Sequence, residues 1–219
     1  MPEYIKSIFE SILQWIFPVN PDIAEIEAMS SADFSLHARR VLEELPQGIQ
    51  SLFKYKDPFV RKALWAVKYD GNKTIARLFA QLLYEHMLEF LSEAELYDNF
   101  VDPIIIPIPL SKERRAERGW NQAEIIAKEL IKSNPQFILR TDIIFKIKHT
   151  TPQTRLSREE RLKNLKGCFA IPDGAHLGIK NKNIILLDDV VTTGSTIIEC
   201  RRTLLAAGAR QVVAFTIAH

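Results

Sequence analysis

The stretch "NIILLDDVVTTGSTIIECRRTLLAAGA", residues 183–209, decides the fold. An apolar run meets two adjacent acids, Asp188 and Asp189. A loop of Thr192, Thr193, Gly194, Ser195 and Thr196 follows, then an apolar-periodic run that closes at Gly208. The pattern predicts a buried strand, a short turn and a helix over 195–207. At the carboxyl end of a parallel strand, side chains face the crevice where α/β folds bind ligands. Two neighbouring carboxylates there can bond to vicinal ribose hydroxyls or hold the water shell of a Mg²⁺ ion. Gly194 lets backbone approach closely, and the hydroxyls of Thr192, Thr193, Ser195 and Thr196 supply donors. The helix beginning at Ser195 aims its unsatisfied N–H groups and positive dipole end at the same spot. Sugar diol on the acids and phosphate in the loop make a cradle for ribose 5-phosphate. An ordinary strand-to-helix turn with a hydroxyl cap contains any one of these features, but their joint occurrence is far more specific. Neither GxxxxGK[ST] nor GxGxxG is present, so this is not a Walker loop or a dinucleotide fingerprint.

Outward from this stretch, strands and helices alternate. "QVVAFTI" (211–217) reads as a strand, as do "PIIIPIP" (103–109) and "DIIFKI" (142–147). "NQAEIIAKELIKS" reads as a helix whose Asn121, with an acid three residues on, resembles a capping box. Asp57-Pro58 opens a helix through Tyr69 that Gly71 stops, and a longer one carries Ile75, Leu78, Phe79, Leu82, Leu83, Met87, Phe90 and Leu91 on one side. Such alternation indicates βαβ units and a mainly parallel central sheet flanked by helices. The first fifty residues differ. Ile5, Ile8, Phe9, Ile12, Leu13 and Ile16 mark one helical face over 3–17, and a second helix is expected over 32–45, closed by Pro46 and Gly48. On this reading residues 1–50 are a helical appendage and 55–219 one α/β domain.

At 219 residues the chain suits one domain with an appendage. A net charge of +2 implies no global attraction to nucleic acid or anionic lipid. The two cysteines, Cys168 and Cys200, form no CxxC pair, which argues against a disulfide framework or a Cys-based zinc site and for a cytoplasmic chain. No apolar run reaches transmembrane length and no signal-peptide pattern opens the sequence. The five histidines show no metal-ligand spacing. Residues 146–167 hold the one strong local charge asymmetry. Lys146, Lys148, Arg155, Arg158, Arg161, Lys163 and Lys166 stand there against Glu159 and Glu160, without the interleaved aromatics of a base-stacking surface.

"IILLDDVVTTGST" closely resembles the phosphoribosyl-pyrophosphate (PRPP) motif of type I phosphoribosyltransferases. "LWAVKYDGNKTIARLFAQLL", "IPIPLSKERRAERGWNQAEIIA" and "TTPQTRLSREERLKNLKGCF" look like successive signature blocks of the ComF family, phosphoribosyltransferase-like proteins associated with DNA uptake in natural competence. The resemblance covers roughly residues 55–219. It departs from the family at the N-terminus, where ComF proteins commonly carry a four-cysteine zinc module and this sequence has no cysteine before Cys168. It also departs at Trp120, where the family usually has Phe.

The resemblance implies a type I phosphoribosyltransferase fold with a flexible hood, PRPP as ligand and Mg²⁺ as cofactor. Asp188 and Asp189 become the catalytic pair, acting on the ion indirectly through the ribose hydroxyls. Thr192, Thr193, Gly194, Ser195 and Thr196 become the 5′-phosphate loop. Leu110, Ser111 and Lys112 become the pyrophosphate loop, with charge from Arg114, Arg115 or Arg118. Gln153 and Arg155 belong to the hood, whose closure excludes water from a reactive sugar cation. Purine-salvage members typically place an Asp at the position of Thr192, so purine transfer is disfavoured and the acceptor stays open. Three readings follow: an active enzyme, a non-catalytic PRPP or nucleotide sensor, and a scaffold for single-stranded DNA or helicase partners of the uptake machinery.

Overall fold

The computed structural model describes residues 21–42, 45, 48–147 and 166–219. The helix expected over 3–17 and the hood residues Gln153 and Arg155 lie outside the described residues. Each element below takes its bounds from local chemistry that the sequence carries. Helix α1 spans Pro21–Ala28, and α2 spans Ser31–His37, with the Ser30 hydroxyl accepting from the Asp33 N–H. Asp57 caps α3 (Pro58–Asp70) at the Phe59 N–H, Pro58 supplies the first helical φ, and Gly71 ends it in the left-handed region at φ 62°. Asn72 starts α4 at once by accepting from the Ile75 N–H, and α4 runs over Lys73–Asp98. Strand β1 is Ile49–Phe53, β2 Ile104–Pro107 and β3 Ile138–Leu139. Helices α5 (Lys112–Arg118) and α6 (Gln122–Ser133) lie between β2 and β3. The two-residue strands β4 (Phe145–Lys146) and β5 (Phe169–Ala170) precede β6 (Asn183–Val190), α7 (Ser195–Ala206) and β7 (Gln211–Ala218).

The central sheet has the order β1-β7-β6-β2-β3, and every pairing in it is parallel. The mainly parallel sheet flanked by helices is therefore present. Strand β6 is the middle strand and is buried through Leu187, which is why it reads as an unbroken apolar run rather than an alternating one. Two buried clusters, one holding Phe34, Phe79 and Phe215 and the other Ile104, Leu186 and Leu204, form the apolar interior. Among the described residues no helix is long and apolar enough to cross a membrane.

Three expectations give way. The helix expected over 32–45 ends at His37, and the chain turns extended at Ala38. The Val41 N–H donates to the Leu52 carbonyl and Arg40 bridges Phe53, so 39–41 run alongside β1 and Leu42 is 89% exposed. The segment 142–147 does not enter the parallel sheet. Only Phe145 and Lys146 are extended, paired antiparallel with β5, while β3 takes the place beside β2. Ile49 and Gln50 fall within the range read as an appendage but belong to an edge strand of the sheet, paired with Ala214 and Phe215.

Helices α1 and α2 pack on α3 and α4. Phe34 is fully buried, with its ring 5.4 Å from Phe53, 4.8 Å from Phe59 and 5.7 Å from Phe79. Aromatic pairs of this kind add about 0.5–1.5 kcal/mol each beyond their buried area.

Candidate active site

From β2 the chain builds outward through α6 to β3, and from β6 through α7 to β7 on the other side. The order reverses between β2 and β6, and a crevice opens at their carboxyl ends. The Ile108 N–H donates to the Leu187 carbonyl at 2.8 Å, which holds the exit of β2 against β6 one residue before the acids. A cavity of about 290 Å³ lies there. Asp188, Asp189, Thr192 and Thr196 border it from the β6–α7 side; Leu110, Ser111, Arg114 and Arg118 border it from the β2 exit.

Both acids sit within β6, near its carboxyl end. The Asp189 N–H donates to Asp188 Oδ1 at 2.9 Å, and the Val190 N–H to Asp189 Oδ1 at 2.9 Å. Each carboxylate thus spends one oxygen on backbone. Burial, and then the charge of Asp189, push the Asp188 carboxyl well above the usual aspartate range, and Lys146 opposes this only weakly. Asp188 therefore holds its proton more tightly than a free aspartic acid. Among the described residues no three His, Cys, Asp or Glu side chains gather to hold a metal ion. Two carboxylates without a cage suit a Mg²⁺ ion that brings its own ligand oxygens, since Mg²⁺ is commonly held by one or two carboxylates plus substrate phosphates.

Gly194 precedes α7 with φ 74°, and a Cβ there would stand 3.2 Å from Ile49 Cδ1. Glycine is needed both for the left-handed turn and for that approach. Gly194 offers the first turn of α7 no side-chain cap, so its N–H groups face the loop. The Thr193 and Ser195 hydroxyls lie 2.7 Å apart, with Ser195 buried, while Thr192 is exposed at the cavity mouth. Thr193 and Gly194 border an adjoining recess with Thr192 rather than the acid cavity itself.

On the opposite wall the structure sorts the basic candidates. The Ser111 hydroxyl caps α5 by accepting from the Arg114 N–H. Arg118 donates to Gln122 Oε1 at 3.1 Å from its place on the cavity wall. Arg115 is committed elsewhere, donating to Glu124 Oε2 at 2.8 Å, and with Lys112 it faces a second cavity of about 730 Å³ behind the loop. Glu124 therefore does not complete the capping box expected at Asn121. Burial pushes its carboxyl up, but Arg115 and Lys128 together hold it below the usual range. Asn121 caps α6 alone through the Ala123 N–H, and its Nδ2 donates to the Ile108 carbonyl at 2.9 Å. Trp120 packs on Gly71 and donates Nε1–H to the Val67 carbonyl, a bond that Phe could not make.

Tyr55, Lys68 and Lys146 also border the cavity and were not assigned to the site by the sequence reading. Lys146 was visible only as one of seven basic residues. Its position follows from the β4–β5 ribbon, which sets it beside Ser111 and carries its ammonium 5.8 Å over the Phe169 ring. Burial, and then the charge of Arg114, lower its pKa.

That ribbon is also the base of the segment read as a hood. The Ile147 N–H donates to the Cys168 carbonyl, and the Gly167 N–H donates to Glu199 Oε1 at 2.6 Å. Arg202 grips both oxygens of Glu199, at 2.7 and 2.8 Å, and holds its carboxyl below the usual range. Glu199→Ala leaves the Gly167 donor and the Arg202 fork without their acceptor and is expected to cost about 1–2 kcal/mol in urea unfolding. The Glu199 contribution is fully present above the ordinary glutamate pKa of about 4.3 and fades as pH falls through the depressed native value. The parent and the alanine variant should therefore converge in acid; an unchanged difference there refutes the assignment.

Fold and site together define an α/β protein whose glycine-hinged hydroxyl loop and acid pair meet at the switch point of a parallel sheet. Comparison then narrows the class. The chain is 30% identical to competence protein F of Haemophilus influenzae over 154 residues, 69% of this chain and 64% of that protein. It is 30% identical to competence protein ComFC of Bacillus subtilis over 169 residues, 77% of this chain and 62% of that protein. It is 28% identical to DNA utilization protein YhgH of Salmonella typhimurium over 186 residues, 84% and 78%. The chain is thus a homologue of the ComF-type competence proteins, and its match spans less than two thirds of the length of the first two. No family model matches. Among solved structures, a hypoxanthine phosphoribosyltransferase of Staphylococcus aureus is similar at 16% identity and TM-score 0.38, over 64% of this chain and 62% of that one. The Leishmania tarentolae enzyme bound to GMP is similar at 12% identity and TM-score 0.35, over 66% of each chain.

Proposed function

We propose that the chain binds PRPP with Mg²⁺, transfers the phosphoribosyl group to an acceptor, and acts in DNA uptake, a role suggested by homologues named for competence and DNA utilization. The observation that carries this reading is the single cavity that joins the acid pair, Thr192 and Thr196 to Ser111, Arg114 and Arg118. There Asp188 and Asp189 orient the ribose diol, Thr192 and Thr196 with the adjoining recess of Thr193 and Gly194 at the α7 N-terminus take the 5′-phosphate, and the β2 exit with Arg114 and Arg118 takes the pyrophosphate. Mg²⁺, held with the ligand by the acid pair, would supply charge neutralisation between diol and pyrophosphate. The protein contributes positioning and electrostatics, and departure of pyrophosphate from C1 needs no covalent nucleophile.

Calorimetric titration with PRPP, with and without Mg²⁺, tests the ligand; a panel of amines and bases assayed for pyrophosphate release tests the transfer. Magnesium-dependent binding with release identifies the enzyme, and binding without release across the panel identifies the sensor. Absence of binding at millimolar PRPP removes the proposal.

A further inference from the structure

Lys112, read from the sequence as part of the pyrophosphate loop, does not border the acid cavity. It faces the larger hollow of about 730 Å³ on the other side of that loop. Three elements wall this hollow: the exit of β2 at Pro107 and Pro109, the start of α5, and the β4–β5 ribbon with Phe145 and Ala170. Ile144 and Asn121 on its border are only 2% and 4% exposed and form a floor, while Phe145 and Ile147 stand exposed at the rim. The volume falls in the range of about 300–1,000 Å³ common to small-molecule sites, which are mostly apolar with a few polar groups that orient the ligand.

The border sets the chemistry of the occupant. Pro107, Pro109, Ile144, Phe145, Ile171 and Pro172 present carbon to it. The Asn121 amide is engaged at both ends, by the Ala123 N–H and the Ile108 carbonyl. A sugar or a base edge would find few bonds there, whereas an apolar ring system suits the prolines and Phe145. Of the charges on the border, Arg115 and Glu124 neutralise each other, which leaves Lys112 and Lys146 against Glu113. The surplus is a single positive charge. The Lys112 ammonium has no hydrogen-bond or ion-pair partner among the described residues. Lys146, whose charge burial and Arg114 both oppose, would gain from an anion beside it. We propose that this cavity binds a small aromatic monoanion, its rings against the prolines and Phe145 and its charge on Lys112. Leu110 borders both cavities, so the occupant lies against the loop from behind and steadies it.

The test is fluorescence titration of the full chain with anilinonaphthalene sulfonate, an aromatic monoanion, and with phenylnaphthylamine, which has the rings without the charge. The expected result is saturable binding of one sulfonate per chain that naphthaleneacetate displaces. Lys112→Gln should weaken the sulfonate about tenfold and leave the neutral amine unchanged, because a charge-assisted bond is lost and the apolar walls are untouched. Ala170→Phe fills the cavity from the ribbon and should remove both dyes. Ile147→Asp, at an exposed position where folding is undisturbed, sets a carboxylate at the rim and should weaken the sulfonate several-fold. Backbone amides of residues 110–115 should exchange hydrogen more slowly with the sulfonate bound; protection confined to other segments overturns the proposal. So does a parent that binds neither dye below millimolar concentration, a sulfonate affinity that ignores all three substitutions, or a loss in Lys112→Gln equal for both dyes. A dimer that Ile147→Asp dissolves, with no dye site, gives the face to a second copy of the chain and overturns it too. PRPP enters none of these measurements, so this cavity and the acid cavity are tested separately.

Discussion

PRPP with Mg²⁺ is expected to stabilise the parent against heat, and Asp188→Asn combined with Asp189→Asn to abolish that stabilisation. A ligand at a hundred times its dissociation constant contributes about 2.7 kcal/mol. For a chain of this size each kcal/mol moves Tm by about 2–4 °C, so the parent should gain about 5–10 °C and the double variant nothing. Without ligand the order reverses. Burial and the neighbouring charge oppose ionisation of Asp188, so an amide there should raise the stability of the ligand-free protein by about 1 kcal/mol. The pH dependence carries the same sign. The native carboxyl keeps a proton that the unfolded chain has released. That contribution is therefore fully present below the ordinary aspartate pKa of about 3.9 and lost as pH rises through the raised native value. Melting curves of the ligand-free parent should fall across that window, and those of Asp188→Asn should be flatter. A double variant that still responds to PRPP would show that the acids do not hold the ligand, and a parent whose stability ignores pH there would overturn the raised Asp188 pKa.

Much of this site could be read from residues close in sequence. The acid pair, the glycine turn and the start of α7 fall within nine residues, and the caps at Asp57 and Gly71 are equally local. What escaped depends on distant partners. Strand β1 shows no alternation, because four of its five residues are buried against β7 and the helices that cover it. The periodicity of Val41 and Leu42 looks helical, yet the backbone bond from Val41 to Leu52 outweighs it. Ile143 and Ile144 are both buried, as in a central strand, but pack in the interior beside a ribbon rather than in the sheet. Lys146 reaches the cavity only because β4 pairs with β5 across an intervening segment that local pattern cannot register. The arginines of α5 look interchangeable in sequence, and only Glu124, on the next helix, separates Arg115 from Arg114 and Arg118.

Asn121→Ala is expected to lower stability by about 2–4 kcal/mol, because one buried side chain serves two structures. Its Oδ1 caps α6 at the Ala123 N–H, and its Nδ2 donates to the carbonyl of Ile108, where β2 leaves the sheet toward Ser111. Losing a cap costs about 1 kcal/mol, and leaving a buried carbonyl without its donor costs about 1–3 kcal/mol more. On this chain the sum corresponds to a Tm lower by about 4–16 °C. Asn121→Asp separates the two roles, since the carboxylate still accepts from Ala123 but presents an oxygen to the Ile108 carbonyl where a donor stood. The aspartate variant should therefore recover none of the loop contribution and bind PRPP more weakly than the parent, although residue 121 itself does not border the acid cavity. Full recovery of both stability and affinity in Asn121→Asp would mean that the bond to Ile108 does not set the loop. The asparagine would then be a helix cap and nothing more.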